Sequence, residues 1–213
     1  MGALSRSDEY WRQSFVMTKI IDFYFDLISP FSYLAHVKLP ALADRYDRKT
    51  IYHPIDIPSA KIAAGNYGPS NREVKPKIKV MLADLQRWAK RYEAPFAFPK
   101  NLDCELWNRV AVYAEENGKA REFVRGAYHA IWGEGGDPTD LERLRAVADE
   151  AGLDGEIALA WAQSPEGSAR FKRSCVDAHS RGIFGAPIMV ADEEFFWGND
   201  RLDFLEEYLA SVQ

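Results

Sequence analysis

The segments that read as β-strand lie at the two ends of this chain, and a long block of helical periodicity separates them. Lys19 to Leu27 carries Ile20, Ile21, Phe23, Tyr24 and Phe25 in a short apolar, aromatic and β-branched run, too short for an ordinary helix and suited to a buried strand. Thr50 to Ile55 reads as a second strand. Near the other end, Pro187 to Val190 and Glu194 to Trp197 form two short strands around the turn Ala191-Asp192-Glu193. Leu202, Leu205, Leu209 and Val212 then mark a closing amphipathic helix. From about Pro58 to Ser174 the texture is helical, as in Ile78, Met81, Leu82, Leu85, Trp88, Ala89 and Tyr92, with Pro and Gly as punctuation. The two flanks can share one sheet only if the central block is inserted between them. The expectation is an α/β chain in which residues 18–58 and 175–213 form one discontinuous sheet domain and residues 59–174 an all-helical insertion. Residues 1–17 carry mixed charges without clear periodicity and read as an N-terminal extension.

Composition narrows the class. At 213 residues and 47% hydrophobic, the chain can close a substantial core. The longest apolar run falls far short of the roughly 18 residues that a membrane span requires. No charged start, apolar stretch and small-residue cleavage site follow one another at the amino terminus, so a cytoplasmic protein without a membrane partner is expected. A net charge of -5 without a sustained basic face argues against nucleic acid. Cys104 and Cys175 form neither a CxxC pair nor metal-ligand spacing with histidines; they read as packed thiols, and no metal is expected. His36, His53, His129 and His179 are scattered and read as structural or surface residues, and Trp88, Trp107, Trp132 and Trp161 as packing residues.

The chemistry lies where the first strand ends. Ser29-Pro30 is a helix-start signal, a hydroxyl that caps free amides followed by a proline suited to the first turn, and Leu34, Val37 and Ala41 continue at helical spacing. Pro40 falls inside this helix and is expected to kink it. A strand ending in Leu27-Ile28 before Ser29-Pro30-Phe31-Ser32 has the layout of the thioredoxin active-site turn with serine in both cysteine positions, which excludes thiol redox chemistry there. A helix amino terminus and a hydroxyl remain, and together they favour the thiolate form of a bound thiol.

Four ordered blocks carry a family resemblance. They are Asp22-Phe23-Tyr24-Phe25-Asp26 with Ser29 to Ala35; Gly65 to Arg72 with Asp84 to Lys90; Trp132-Gly133-Glu134-Gly135; and Gly182 to Pro187 with Phe196 to Leu202. They span nearly all the chain after residue 17, and the whole resembles the bacterial 2-hydroxychromene-2-carboxylate isomerases, relatives of the kappa-class glutathione transferases and of DsbA-type proteins. The resemblance implies a thioredoxin-like sheet domain, glutathione as cofactor, a small aromatic carboxylate as substrate, a place in aromatic hydrocarbon catabolism and a homodimer.

It also implies roles for particular residues. Ser29 would sit against the glutathione sulfur, and Ala186, before a cis Pro187, would offer backbone hydrogen bonds to the tripeptide. Trp197, Gly198, Asn199 and Asp200 match the glutathione-binding end, where amides hold the γ-glutamyl carboxylate and Asp200 receives its ammonium group. Lys61, Asn101 and Leu102 match positions that contact the aromatic substrate, with Asn66 and Arg72 as secondary candidates. The Leu102-Asp103-Cys104 segment is less polar than its counterpart in naphthalene-pathway isomerases, so the ring system of the substrate stays open. A kappa-type transferase and a noncatalytic glutathione or peptide binder are the alternatives, separated from the isomerase by the mass of the products and by the presence of turnover.

Overall fold

A computed structural model describes residues 19–212, so the expected extension over residues 1–17 lies outside the described residues. Strand β1 (Ile20–Phe25) is buried at every position after Ile20, which its nearly continuous apolar composition permits. It lies inside a four-stranded sheet of order β2-β1-β3-β4. Strand β2 (Lys49–Pro54) runs parallel to β1, with Phe23 opposite Tyr52. Strand β3 (Ile188–Ala191) pairs antiparallel on the other side, with Phe23 opposite Met189, and β4 (Glu194–Trp197) forms the antiparallel edge. The strands from the two ends of the chain thus meet in one sheet, the α/β class expected from the sequence.

A parallel pair needs a crossover, and helix α1 (Pro30–Arg45) supplies it. The helix continues through Pro40 to Arg45. The antiparallel pair β3–β4 needs only a tight turn, made by Asp192 and Glu193 at φ 48° and 75°. Between β2 and β3 come α2 (Ile57–Ala63), α3 (Lys75–Tyr92), α4 (Glu105–Glu116) and α5 (Ala120–Tyr128). A π-helical turn (His129–Gly133) follows, then α6 (Leu141–Glu150), α7 (Gly155–Gln163) and α8 (Pro165–Ser180). A 3-10 turn (Asn199–Arg201) and α9 (Leu202–Ser211) close the chain. Asp56, Asp140, Asp154 and Ser164 cap α2, α6, α7 and α8 by accepting the amide three residues on, each worth about 1 kcal/mol.

The helical block and the sheet share one core. A single cluster of buried side chains runs from Phe23, Phe25 and Leu27 through Leu34 and Leu39 of α1 to Trp107 of α4 and Phe123 of α5. His36 of α1 is buried within it beside Tyr52 and Tyr128, and burial pushes its pKa down to about 3, which makes it a neutral core residue as its sequence context suggested.

A charged staple joins the two halves of the sheet. Arg48, just before β2, has a side chain 2% exposed and reaches Asp192 of the β3–β4 turn through two hydrogen bonds of 2.8 and 2.6 Å. The Arg48 hydrogen bond holds the Asp192 carboxyl below its ordinary range. Removing Asp192 strands a buried guanidinium, so Asp192→Ala is expected to lower the unfolding free energy by about 2 kcal/mol, read as a lower urea midpoint at constant slope. An unchanged midpoint would refute the staple. Because the folded carboxyl titrates below the unfolded one, this contribution is complete above about pH 4 and is lost as pH falls through the lower folded value.

Candidate active site

At Phe25 the chain leaves the sheet and turns through residues 26–28 to reach Ser29. Ser29 is buried and caps α1: its Oγ accepts the Ser32 amide at 3.1 Å, with Pro30 in the first helical turn. Its own amide donates to the Asp26 carbonyl at 2.9 Å. The Ser-Pro signal therefore sets the helix start where it was expected, and the positive end of the helix dipole lies at the C-terminal end of β1.

The turn before Ser29 is gripped from outside. Trp132 Nε1 donates to the Leu27 carbonyl at 2.8 Å, Tyr128 Oη to the Asp26 carbonyl at 3.2 Å, and Arg72 Nη2 to the Ile28 carbonyl at 2.8 Å. Asn108 of α4 bridges with both ends of its amide, Oδ1 accepting the Leu27 amide at 3.2 Å and Nδ2 donating to Asp26 Oδ1 at 2.8 Å. Asp26 is 1% exposed and also accepts the amides of Ile28 at 3.2 Å and of Ile57, the first residue of α2, at 3.0 Å. Burial pushes its carboxyl up to about 6, against the opposing pull of the Ile57, Asn108 and Ile28 hydrogen bonds. Three segments far apart in sequence converge on one carboxyl group.

A cavity of about 650 Å³ opens beside this turn. Its wall includes Ile28, Leu102 and Phe171 as apolar surfaces and Asp26, Asn108 and His179 as polar ones, a mixture suited to a flat apolar ligand with polar substituents. Cys104 and Cys175 also face it, but burial pushes the Cys175 thiol up to about 11 and Cys104 further, so neither supplies a thiolate at neutral pH. Two smaller cavities, of about 280 and 370 Å³, contain no residue of the 26–29 turn.

The second set of candidates flanks α1. The Ala186-Pro187 peptide is cis. Ala186 lies two residues before Ile188, which pairs with Tyr24 in the antiparallel register of β1 and β3. Trp197 ends β4 and packs edge-on against Phe184, ring centroids 4.9 Å apart, while remaining 59% exposed. Gly198 adopts φ 107°, and a Cβ there would run into the Asp200 carboxylate. Asn199 is buried, its carbonyl accepts from Tyr92 Oη at 3.2 Å, and its Nδ2 lacks a protein partner among the described residues. Asp200 pairs with Arg201 at 2.7 Å. The 3-10 turn holding Asn199 and Asp200 packs against α1.

Of the three substrate candidates, Leu102 lies in the cavity wall and the other two do not. Lys61 Nζ donates to the Gly68 carbonyl. Asn101 Nδ2 donates to Asp137 at 2.6 Å while its Oδ1 accepts the Asp103 amide, so its amide is occupied in holding its own loop. Asp26, Asn108, Tyr128 and Trp132 were not singled out as site residues from sequence. For Asp26 the local signal was an acid at the buried end of an apolar strand, directly before a helix start, and for Trp132 its place at the head of the third block.

Residues 20–210 match the family model described as a DSBA-like thioredoxin domain. The chain is 58% identical over 193 residues to a 2-hydroxychromene-2-carboxylate isomerase of Sphingobium xenophagum, covering 91% of this chain and 99% of that protein. It is 23% identical over 210 residues to human glutathione S-transferase kappa 1, covering 91% of this chain and 92% of that protein. A solved 2-hydroxychromene-2-carboxylate isomerase superposes with a TM-score of 0.84 at 40% identity, over 91% of this chain and 95% of that one.

The geometry makes Asn108 the keystone of the turn. Asn108→Ala leaves the buried Leu27 amide without a partner and Asp26 Oδ1 with the Ile28 amide only. The expected cost is about 3 kcal/mol, measured by urea unfolding; a loss below about 1 kcal/mol would show that the turn holds its shape without the bridge.

Proposed function

Because the chain belongs to the DSBA-like thioredoxin domain family, on its 2-hydroxychromene-2-carboxylate isomerase branch, we propose that it is a glutathione-dependent isomerase. It converts 2-hydroxychromene-2-carboxylate, or a related bicyclic aromatic catabolite, to trans-o-hydroxybenzylidenepyruvate. The observation that carries this reading is a buried serine at the amino terminus of α1, in a turn that has no thiol of its own and whose Asp26 and Ile28 line a cavity of a size for a bicyclic acid.

The residues present fit glutathione. Asn199 holds a buried amide nitrogen with no protein partner among the described residues, which is an unmet demand for an acceptor such as a carboxylate. Gly198 leaves room for the Asp200 carboxylate, which would exchange its Arg201 partner for an ammonium group. Ala186, at the cis peptide just before β3, offers backbone groups to an extended peptide, and Trp197 with Phe184 forms an exposed aromatic edge beside it. When bound, glutathione supplies the thiolate that adds reversibly to the conjugated ring, so that a double bond becomes single and can rotate.

The chain's own residues prepare that chemistry. Ser29 Oγ already accepts the Ser32 amide, so its hydroxyl proton is free to be donated to an anion at the helix start. The helix terminus adds its partial positive charge at the same place. Leu102, Ile28 and Phe171 exclude water from the aromatic rings in the cavity. Lys61 and Asn101 stand outside the cavity wall, so their contact with substrate would require release of the Gly68 and Asp137 partners.

Two measurements test the reading. Absorbance-monitored conversion of 2-hydroxychromene-2-carboxylate should require added glutathione, and Ser29→Ala should slow it by about a hundredfold. Turnover that is indifferent to glutathione would sink the proposal, and products carrying the mass of glutathione would make the protein a transferase instead. In calorimetry, Gly198→Ala should weaken glutathione binding by roughly tenfold, the equivalent of about 1.4 kcal/mol, and an unaltered affinity would place the tripeptide elsewhere.

A further inference from the structure

Asp26 is both a structural node and part of the cavity wall. An ionised carboxyl group accepts about four hydrogen bonds. Asn108 and Ile28 occupy Oδ1 and Ile57 occupies Oδ2, which leaves acceptor capacity on the Oδ2 side. The other acids of the wall are differently engaged. Asp56 Oδ2 takes the Ser59 amide as the cap of α2, Glu105 is exposed and paired with Arg109, and Asp103 is exposed. Asp26 alone is buried, and its carbonyl takes the Ser29 amide at 2.9 Å, so the cavity wall and the start of α1 meet at this turn.

Ring opening of a cyclic hemiketal requires a proton to leave one oxygen and arrive at another. We propose that Asp26 carries that proton: its carboxylate accepts it from the hemiketal hydroxyl of the substrate and returns it to the departing ring oxygen. The inference rests on the isomerase reading. The O–H bond gives its electrons to the new carbonyl of the α-keto acid, and the bond from that carbon to the ring oxygen breaks with its pair on the phenolic oxygen. Asp26, now protonated, then gives the proton to that phenolate. Nothing is oxidised or reduced, and the carboxylate is regenerated.

The titration of Asp26 suits this task, because a group poised near 6 accepts a proton readily and surrenders it to a phenolate. The groups facing it are Asp56 at the start of α2, Arg72 of the loop before α3, Cys104 at the start of α4, Tyr128 at the end of α5, and Cys175 of α8. Burial keeps Cys104, Tyr128 and Cys175 protonated around neutrality. The rival carrier in the same wall is His179, whose Nε2 is buried without a protein partner among the described residues.

The test is the pH profile of kcat/KM at saturating glutathione for the intact protein, Asp26→Asn and His179→Phe, beside a carbon-13 NMR titration of the Asp26 carboxyl in the intact protein. The intact enzyme should lose activity below about pH 6, with a midpoint matching the Asp26 resonance. Asp26→Asn should lower kcat by roughly 10²- to 10⁴-fold with KM within about threefold, and should abolish the acid limb. His179→Phe should keep the limb. A limb that survives in Asp26→Asn, or vanishes in His179→Phe, overturns the assignment while leaving the isomerase intact. If Asp26→Asn does not fold, the NMR midpoint decides, since a carboxyl that titrates away from the kinetic limb is not the carrier. No turnover by the intact protein at any pH overturns the isomerase reading and this assignment with it.

Discussion

The contact on which the rest of the structure depends joins Asp26, at the end of the central strand, to Asn108, in the first turns of α4. Both groups are almost wholly buried, and burying a carboxylate and an amide costs several kcal/mol unless every polar atom finds a partner. Here the partners come from elements that must already be docked. Ile57 begins α2, Asn108 belongs to α4, and the neighbouring Tyr128 and Trp132 come from the end of α5 and the π-helical turn. The shape of the turn before Ser29 is thus a property of the assembled sheet and helical block, and neither part alone satisfies it.

That dependence explains why the helical block shares a core with the sheet. A hydrogen-bonded turn is held accurately only if its donors cannot drift, and they are held here by apolar packing, Trp132 on Phe96 with ring planes 14° apart and Tyr128 against Phe25 and Tyr33. The π-helical turn matters in this respect. It places Trp132 where its ring nitrogen meets the Leu27 carbonyl, and Gly133 fits there because a Cβ would strike the His129 ring at 2.8 Å. Irregular backbone in the helical block is matched to an irregular turn at the end of the strand.

What could be read in the sequence follows the range of the interactions. The four strands, the Ser29 cap and the closing helix are set by local periodicity and cap chemistry, and each is found within a residue or two of its expected place. The Asp26 network was hidden because Asn108 lies 82 residues away and carries no local pattern. His53 gave no sign of its partner for the same reason: the parallel register of β1 and β2 brings its Nε2 to 2.6 Å from Asp22, 31 residues distant, and Arg181 joins the same carboxylate. Asn101 shows the converse. Similarity marked it as a substrate contact, and the fold spends its amide on Asp137.

The replacement of the thioredoxin-type cysteines by Ser29 and Ser32 leaves the electrostatics of the turn to be settled by other means. A helix terminus favours an anion at Ser29, whereas a carboxylate three residues earlier opposes one. The two influences are reconciled by where the carboxylate's charge is spent. Three donors converge on Asp26, so its charge is neutralised locally, while Ser29 faces the free amides of α1. Cys104 and Cys175, the thiols that could have supplied a nucleophile, are held protonated by the same burial. A site arranged in this way stabilises a sulfur anion brought from outside and makes none of its own.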